Sequence, residues 1–276
     1  MNYLKLLRPK HWLKNLFVFA PLFFSGRFSN EGGLITTSFV FVVFSLVAST
    51  VYIINDILDQ EQDRLHPHKK HRPIASGKVT IWEAIIMSMI LAGMAIGIIY
   101  KWVPEIAWVM ALYFGLNVFY SMWLKNIEIM DILLIAGFYL LRLIAGGIAT
   151  HTFISSWLIL CTLFLSLFLI LAKRKAEYHH EKRRKVLDAY NPILIDHLLT
   201  ISAGLTLISY SLYTILGVES QWAVYSIFFV LMGMFRYLMI TYISNEAEYP
   251  EKIVFSDKII LASMIGWIAF MIFIFY

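Results

Sequence analysis

Charge is scarce in this sequence. Only 15% of the residues are Asp, Glu, Lys or Arg, against about 25% in a typical soluble domain. A chain this short of charge cannot cover a single water-facing globule, and it is not a disordered solvating tail. Cysteine is almost absent. The single thiol, Cys161, lies in an apolar run, which excludes a disulfide framework and a thiolate metal cluster. The first apolar stretch has no small-x-small motif after it and contains Pro21 and bulky phenylalanines. It therefore reads as a retained segment rather than a cleaved signal peptide. The net charge of +5 is concentrated in a few short loops, so a nucleic-acid role is not expected.

What is present is apolar: 60% of the 276 residues are hydrophobic and the mean hydropathy is +0.72. A membrane-crossing helix needs about 20 such residues, with a range of about 17–25. The sequence predicts nine crossings, at Trp12–Ser25, Leu34–Leu58, Trp82–Lys101, Glu105–Lys125, Met130–Thr150, Phe153–Lys173, Pro192–Leu216, Gln221–Ser244 and Lys258–Tyr276. The first is short. An all-α integral membrane protein follows, a single polytopic domain over 1–276 with cytoplasmic loops at 59–80 and 174–192.

The basic residues fix the expected orientation. Lys5, Arg8, Lys10 and Lys14 lie in the N-terminal segment, up to the start of the first run; Arg64, Lys69, Lys70, Arg72 and Lys78 follow the second; Lys125 closes the fourth. Seven more run from Lys173 to Lys185 inclusive, and Lys252 and Lys258 lie before and at the start of the last run. The opposite side has only Arg27 and Lys101, while Arg142 and Arg236 lie within runs. Such asymmetry places the N-terminus and the charged loops in the cytoplasm and the C-terminus outside, across the plasma (inner) membrane.

The end of the second run carries the sharpest chemical signal, Asn55-Asp56-Ile57-Leu58-Asp59-Gln60-Glu61-Gln62-Asp63. On an unbroken helix Asp56, Asp59 and Asp63 fall within about 60° of one another. Three carboxylates in one stripe at the membrane boundary repel unless a cation sits among them. Mg²⁺ suits them, because it is usually held by one or two carboxylates plus substrate phosphates. Downstream, Lys70 and Arg72 could hold phosphate oxygens, Arg in a bidentate fork. His66, His68 and His71 match no zinc spacing.

A second charged end closes the sixth run, Lys173-Arg174-Lys175-Ala176-Glu177, with Lys173 and Glu177 one helical turn apart. The two ends differ in sign, one acidic and one basic, which suits a Mg²⁺-bound pyrophosphate and a second, uncoordinated anion. Intramembrane polar residues are costly and often functional. Asn117, Ser121 and Lys125 recur every four residues along the fourth run. Asp131 and Arg142 are too far apart on one helix to pair, so their partners lie elsewhere. Arg142 and Arg236 serve either as ties between helices or as substrate contacts, and Lys14 either anchors the interface or binds a ligand. Glu246, Glu248 and Glu251 form an acidic loop that reads as solvated or as a lid.

At these residues the sequence resembles the UbiA superfamily of intramembrane prenyltransferases. Asn55-Asp56-x-x-Asp59-x-x-x-Asp63 is similar to its first aspartate-rich motif. Arg8-Pro9-Lys10-x-Trp12-x-Lys14-Asn15, His66-Pro67-x-Lys69-x-x-Arg72-Pro73-Ile74-Ala75-Ser76-Gly77, Tyr120-x-x-x-Leu124-Lys125 and Lys173-Arg174-x-Ala176-Glu177 resemble its decaprenyl-phosphate phosphoribosyltransferase branch. So do Arg236-Tyr237 and the stretch from Pro250 to Asp257. The resemblance implies nine helices around a central cavity open to the cytoplasmic face. It implies transfer of phosphoribose from phosphoribosyl pyrophosphate to a polyprenyl phosphate. Asp56, Asp59 and Asp63 would be metal ligands. Lys14, Asn55, Lys70, Arg72, Asn117, Tyr120, Lys125, Arg142, Lys173, Arg174 and Glu177 would bind substrate. Aromatic prenyltransferases of the superfamily carry a second DxxxD-type motif where this chain has Lys173-Arg174-x-x-Glu177. Two further readings stay open: prenyl transfer from a prenyl diphosphate, and transport without chemistry. Self-association is compatible with all three.

Overall fold

The computed structural model describes residues 2–65, 69–178, 185–243 and 250–276. Among them there are helices and connecting turns but no strand. Eight helical stretches are long and apolar enough to cross a membrane: Glu31–Leu58, Ile81–Trp102, Pro104–Met122, Met130–Ala149, Ser156–Tyr178, Pro192–Leu216, Gln221–Ile243 and Lys258–Phe275. They agree with the second to ninth predicted runs to within a few residues. The first run, Trp12–Ser25, takes another form. It is a 3₁₀ helix over Pro9–Phe19 followed by the short α2, Ala20–Phe24. The chain divides into two compact units, Met1–Leu124 with Leu141–Phe153, and Lys125–Leu140 with Ile154–Tyr276.

The first unit is built on α3 (Glu31–Leu58). Asn30 starts it, its side chain accepting the Gly33 N–H, which satisfies a donor that apolarity alone does not reveal. Val40, Val43, Phe44, Val47, Ala48 and Val51 recur at three- and four-residue spacing and are buried. Short α1 (Asn2–Leu7) precedes the 3₁₀ segment, and α4 (Gln60–Leu65) follows α3. Helix α5 (Ile81–Trp102) opens on a reciprocal cap, Thr80 with Glu83. Leu6, Ile53, Ile74, Val79, Ala84 and Leu91 form one cluster between these elements. Helix α6 (Ala107–Met122) and the later half of α7 (Met130–Ala149) complete the unit.

The 3₁₀ segment is tied to α3 by polar bonds. Trp12 Nε1 donates to Ser49 Oγ (3.1 Å) and Asn15 Nδ2 to Ser45 Oγ (3.0 Å). It also runs hard against Gly146 of α7. A Cβ built there would stand 2.0 Å from the Val18 carbonyl oxygen. Backbone cannot yield as a side-chain tip can, so Gly146→Ala is expected to cost about 3 kcal/mol through overpacking. Gly137 of the same helix has open space beside it, and Gly137→Ala is expected to be neutral or slightly stabilising. Melting temperatures of the two variants in one detergent give the comparison.

The second unit pairs α8 (Ser156–Tyr178) with α9 (Pro192–Leu216), and α10 (Ile227–Ile243) with α12 (Lys258–Phe275), with α11 (Pro250–Ser256) just before α12. Phe168, Leu171, Ala172, Ala176, Ile195, Leu199 and Ala203 form the heart of its core. Arg236 of α10 reaches Asp257, donating from Nε (3.0 Å) and Nη2 (2.8 Å) to Oδ2. Asp257 Oδ1 meanwhile accepts the N–H groups of Ile259 and Ile260 and so caps α12. Arg236 is thus a tie between helices.

The Arg236 guanidinium holds the Asp257 carboxyl below the usual carboxylate range. A carboxyl lowered on folding stabilises the fold above its unfolded value, and this contribution is lost as pH falls through the folded value. Asp257→Asn is therefore expected to melt below wild type at pH 7. The gap should close in a melting series taken to below about pH 4.

Candidate active site

Asp56 lies in the last turn of α3 and is 2% exposed; Asp63 lies in α4 and is 3% exposed. The expected unbroken stripe is interrupted. Helix α3 ends at Leu58, with Asp59 at the junction before α4. The helical hydrogen bonds still bridge it, Asp59 N–H to Asn55 C=O at 2.9 Å and Asp63 N–H to Asp59 C=O at 2.8 Å. Asp56 and Asp63 converge on one guanidinium. Nη1 of Arg72 donates to Asp56 Oδ1 (3.0 Å) and to Asp63 Oδ2 (2.6 Å). Arg8 Nη2 also donates to Asp56 Oδ1. The structure thus gathers two of the three acids; among the described residues no three His, Cys, Asp or Glu side chains are grouped tightly enough for one ion.

Those two carboxylates fit Mg²⁺. Both direct an oxygen at the point that Arg72 Nη1 fills, they are hard donors, and two protein carboxylates are the usual complement when phosphates supply the rest. Asn55 and Asp59 flank them half-buried, and Lys70 is exposed in the short 3₁₀ turn Lys69–His71.

Arg72 is placed by its loop. Its N–H donates to Lys69 C=O, Ser76 N–H returns to Arg72 C=O, and Gly77 closes the turn at φ 74°. Ile74, Ala75 and Val79 anchor the loop by burial. Gln60 and Arg64 of α4 bond the carbonyls of Ile74 and Ala75. Arg8 stands between α1 and the 3₁₀ segment at φ 51°, a region unfavourable for residues with a Cβ. Its guanidinium lies 4.8 Å from the Tyr52 ring centroid. The charge pattern alone did not single out Arg8; the Arg8-Pro9 motif was its one signal.

Deeper in the first unit, Arg142 is buried. It donates from Nε to Asn15 Oδ1 (2.7 Å) and from Nη2 to Tyr113 OH (2.9 Å), with Phe44 beneath it. It joins α7, the 3₁₀ segment and α6. Lys14 and Tyr120 are half-buried. The expected Asn117–Ser121–Lys125 stripe does not persist. Asn117 and Ser121 bond back to the carbonyls of Tyr113 and Asn117. The helix ends at Met122, and Lys125 lies beyond it in the 3₁₀ turn Leu124–Asn126, in the second unit.

In the second unit the basic end of α8 is a network of both signs. Arg174 is 2% exposed. Its Nη1 donates to Glu177 Oε2 (2.6 Å) and its Nη2 stands 3.1 Å from Oδ2 of fully buried Asp131. Lys173 Nζ lies 3.7 Å from Glu177, as the one-turn spacing predicted. Tyr190 OH donates to Asp131 Oδ1 (2.9 Å) and accepts the Ile129 N–H (2.7 Å). Burial pushes this hydroxyl up to about 12, so it remains a donor at neutral pH. Lys175 bonds Asp196 and sits over the Tyr242 ring. The partner of Asp131 is thus on another helix, as the spacing required. His66, His68, the residues from His179 to Arg184, Glu246 and Glu248 lie outside the described residues, as does the Glu251 side chain.

Comparison with known proteins adds the following. A model of the UbiA prenyltransferase family matches residues 16–257. The decaprenyl-phosphate phosphoribosyltransferase of Mycobacterium tuberculosis is 34% identical over 276 residues, covering 96% of this chain and 91% of that protein. The protein of the same name in Corynebacterium glutamicum is 31% identical, covering 96% and 84%. A solved UbiA homolog from Archaeoglobus fulgidus, bound to DMAPP and Mg²⁺, has the same fold, with a TM-score of 0.71 and 18% identity over 100% of this chain and 99% of that one.

Proposed function

This chain belongs to the UbiA prenyltransferase family, and on that premise we propose that it transfers a 5-phosphoribosyl group. The donor is phosphoribosyl pyrophosphate, the acceptor is a polyprenyl phosphate, and pyrophosphate leaves. The observation that carries this reading is the likeness, along nearly the whole chain, to decaprenyl-phosphate phosphoribosyltransferases of mycobacteria and corynebacteria. The protein is a multi-pass membrane protein.

Nine crossings are compatible with the eight long helices. A 3₁₀ helix rises about 2.0 Å per residue, so Pro9–Phe24 can extend roughly 30 Å, the thickness of the hydrocarbon core. The basic loops then put Asp56 and Asp63 at the cytoplasmic face, where a soluble sugar diphosphate arrives.

Asp56 and Asp63, with Asp59 beside them, would hold Mg²⁺ on the donor diphosphate. When bound, the ion supplies charge neutralisation to the departing pyrophosphate. Arg8 and Arg72 already reach the acids, so they are positioned to bond diphosphate oxygens held there. The acceptor phosphate oxygen is anionic before it attacks the anomeric carbon, and no strong base is required. Orientation and charge stabilisation therefore carry the rate. Lys173, a third exposed, is the cation of the α8 motif open to solvent. A prenyl diphosphate in place of the sugar donor is the competing reading. The mixed-sign α8 motif, standing where aromatic prenyltransferases have a second acidic one, weighs against it.

The test is a side-by-side donor assay in detergent. Phosphoribosyl pyrophosphate with a short prenyl phosphate should give a lipid product. Geranyl diphosphate with an aromatic acceptor should give none. The reverse pattern would establish the competing reading.

A further inference from the structure

Asp56 and Asp63 are nearly inaccessible, yet Arg72, whose guanidinium joins them, is not. Its side chain is 27% exposed, and it comes from a separate loop whose backbone is fixed independently by Ile74, Ala75 and Val79. The side chain can therefore leave while the loop stays in place. Two buried carboxylates this close stay ionised together only with a cation between them. The oxygens that Nη1 bridges, Asp56 Oδ1 and Asp63 Oδ2, are those a divalent ion would use, and one position admits one cation.

Resting on the metal–diphosphate reading above, we infer that Arg72 is an exchangeable counter-ion that competes with the metal for the acid pair. A divalent ion alone must expel a guanidinium that has two carboxylate bonds, with nothing offered in return. A diphosphate changes the balance. It brings ligands for the ion and a bidentate anionic partner for the displaced guanidinium. Metal and diphosphate therefore enter together, and the ion by itself binds weakly. Arg8 bonds the same Asp56 Oδ1 but makes no bond to Asp63, so among the described residues Arg72 alone fills the point between the two acids. Arg72 is in this respect a positioning residue, setting the order of binding rather than only adding affinity for substrate.

The competition makes a prediction of unusual sign: removing a cation from the site improves metal binding. The full chain in detergent is dialysed to equilibrium against Mn²⁺ as the probe, with no diphosphate present. Arg72→Gln is expected to bind Mn²⁺ about tenfold more tightly than wild type. In gel filtration, wild type should retain Mn²⁺ only with inorganic pyrophosphate in the buffer, and Arg72→Gln should retain it in either buffer. Should Arg72→Gln melt before it can be assayed, Arg72→Lys serves. An ammonium lacks the fork and competes less well, so affinity should rise part of the way. Equal or weaker Mn²⁺ binding by these variants overturns the exchange. An Asp56→Asn control, run with inorganic pyrophosphate in the buffer so that wild type retains Mn²⁺, separates the two layers. If it loses Mn²⁺ while Arg72→Gln matches wild type, only the exchange fails. If it binds Mn²⁺ like wild type, the metal assignment fails as well.

Discussion

Asp56→Asn is expected to lower kcat/KM for phosphoribosyl transfer by about 10³-fold, in line with losing one preorganised charge at a developing anion. The substitution is nearly isosteric, but it removes the negative charge that would hold the ion on the donor. The fold should survive. Arg8 and Arg72 are 20% and 27% exposed, so water can solvate what the missing charge leaves behind, and Arg72 keeps Asp63. A melting temperature within a few degrees of wild type, with transfer gone, is the expected pairing. Excess EDTA should reproduce the loss in the unaltered protein, and restored Mg²⁺ should reverse it. Full activity in Asp56→Asn, or activity that persists in EDTA, contradicts the metal assignment.

The other large effect belongs to the second unit and is one of stability. Arg174→Met strips the cation from Asp131, which is 0% exposed, and from Glu177. Breaking a buried pair by removing one partner costs about 3–5 kcal/mol, because a charge is left in a medium that solvates it poorly. Tyr190 still donates to Asp131, but one neutral hydroxyl does not replace a guanidinium. Adding Asp131→Asn should recover most of the loss, since an amide oxygen can accept the Tyr190 hydrogen bond, no charge remains at position 131, and Glu177 keeps Lys173 beside it. Melting in detergent of the single and double variants reads the difference. A single variant as stable as wild type would mean that the network contributes little.

Much of this was legible in the chain itself. Eight of the nine predicted runs appear as long helices because lipid-compatible helices need only a sustained apolar stretch. Leu34 was nevertheless too late a start for α3, since the helix begins at Glu31 under the Asn30 cap. The acids were found because their spacing places them on one helix face. The cations that meet them were not assigned to them, because a pair such as Arg8 with Asp56, 48 positions apart, follows no periodicity. Asn15 and Arg142, 127 positions apart, are a stronger case. The α8 motif read as basic because Lys173, Arg174 and Lys175 are adjacent, whereas Asp131 and Asp196, which offset it, come from other helices. The 3₁₀ form of Pro9–Phe19 had only its two flanking prolines as warning. The need for Gly146 becomes visible only once Val18 is beside it.

The most direct measurement is the mass and label content of the lipid product. Phosphoribosyl pyrophosphate labelled in its pyrophosphate group is supplied with farnesyl phosphate and Mg²⁺. The expected product is farnesyl phosphate enlarged by one phosphoribosyl unit and free of label, with one labelled pyrophosphate released for each lipid formed. Label retained in the lipid, or unchanged farnesyl phosphate beside a fully active preparation, would contradict the account.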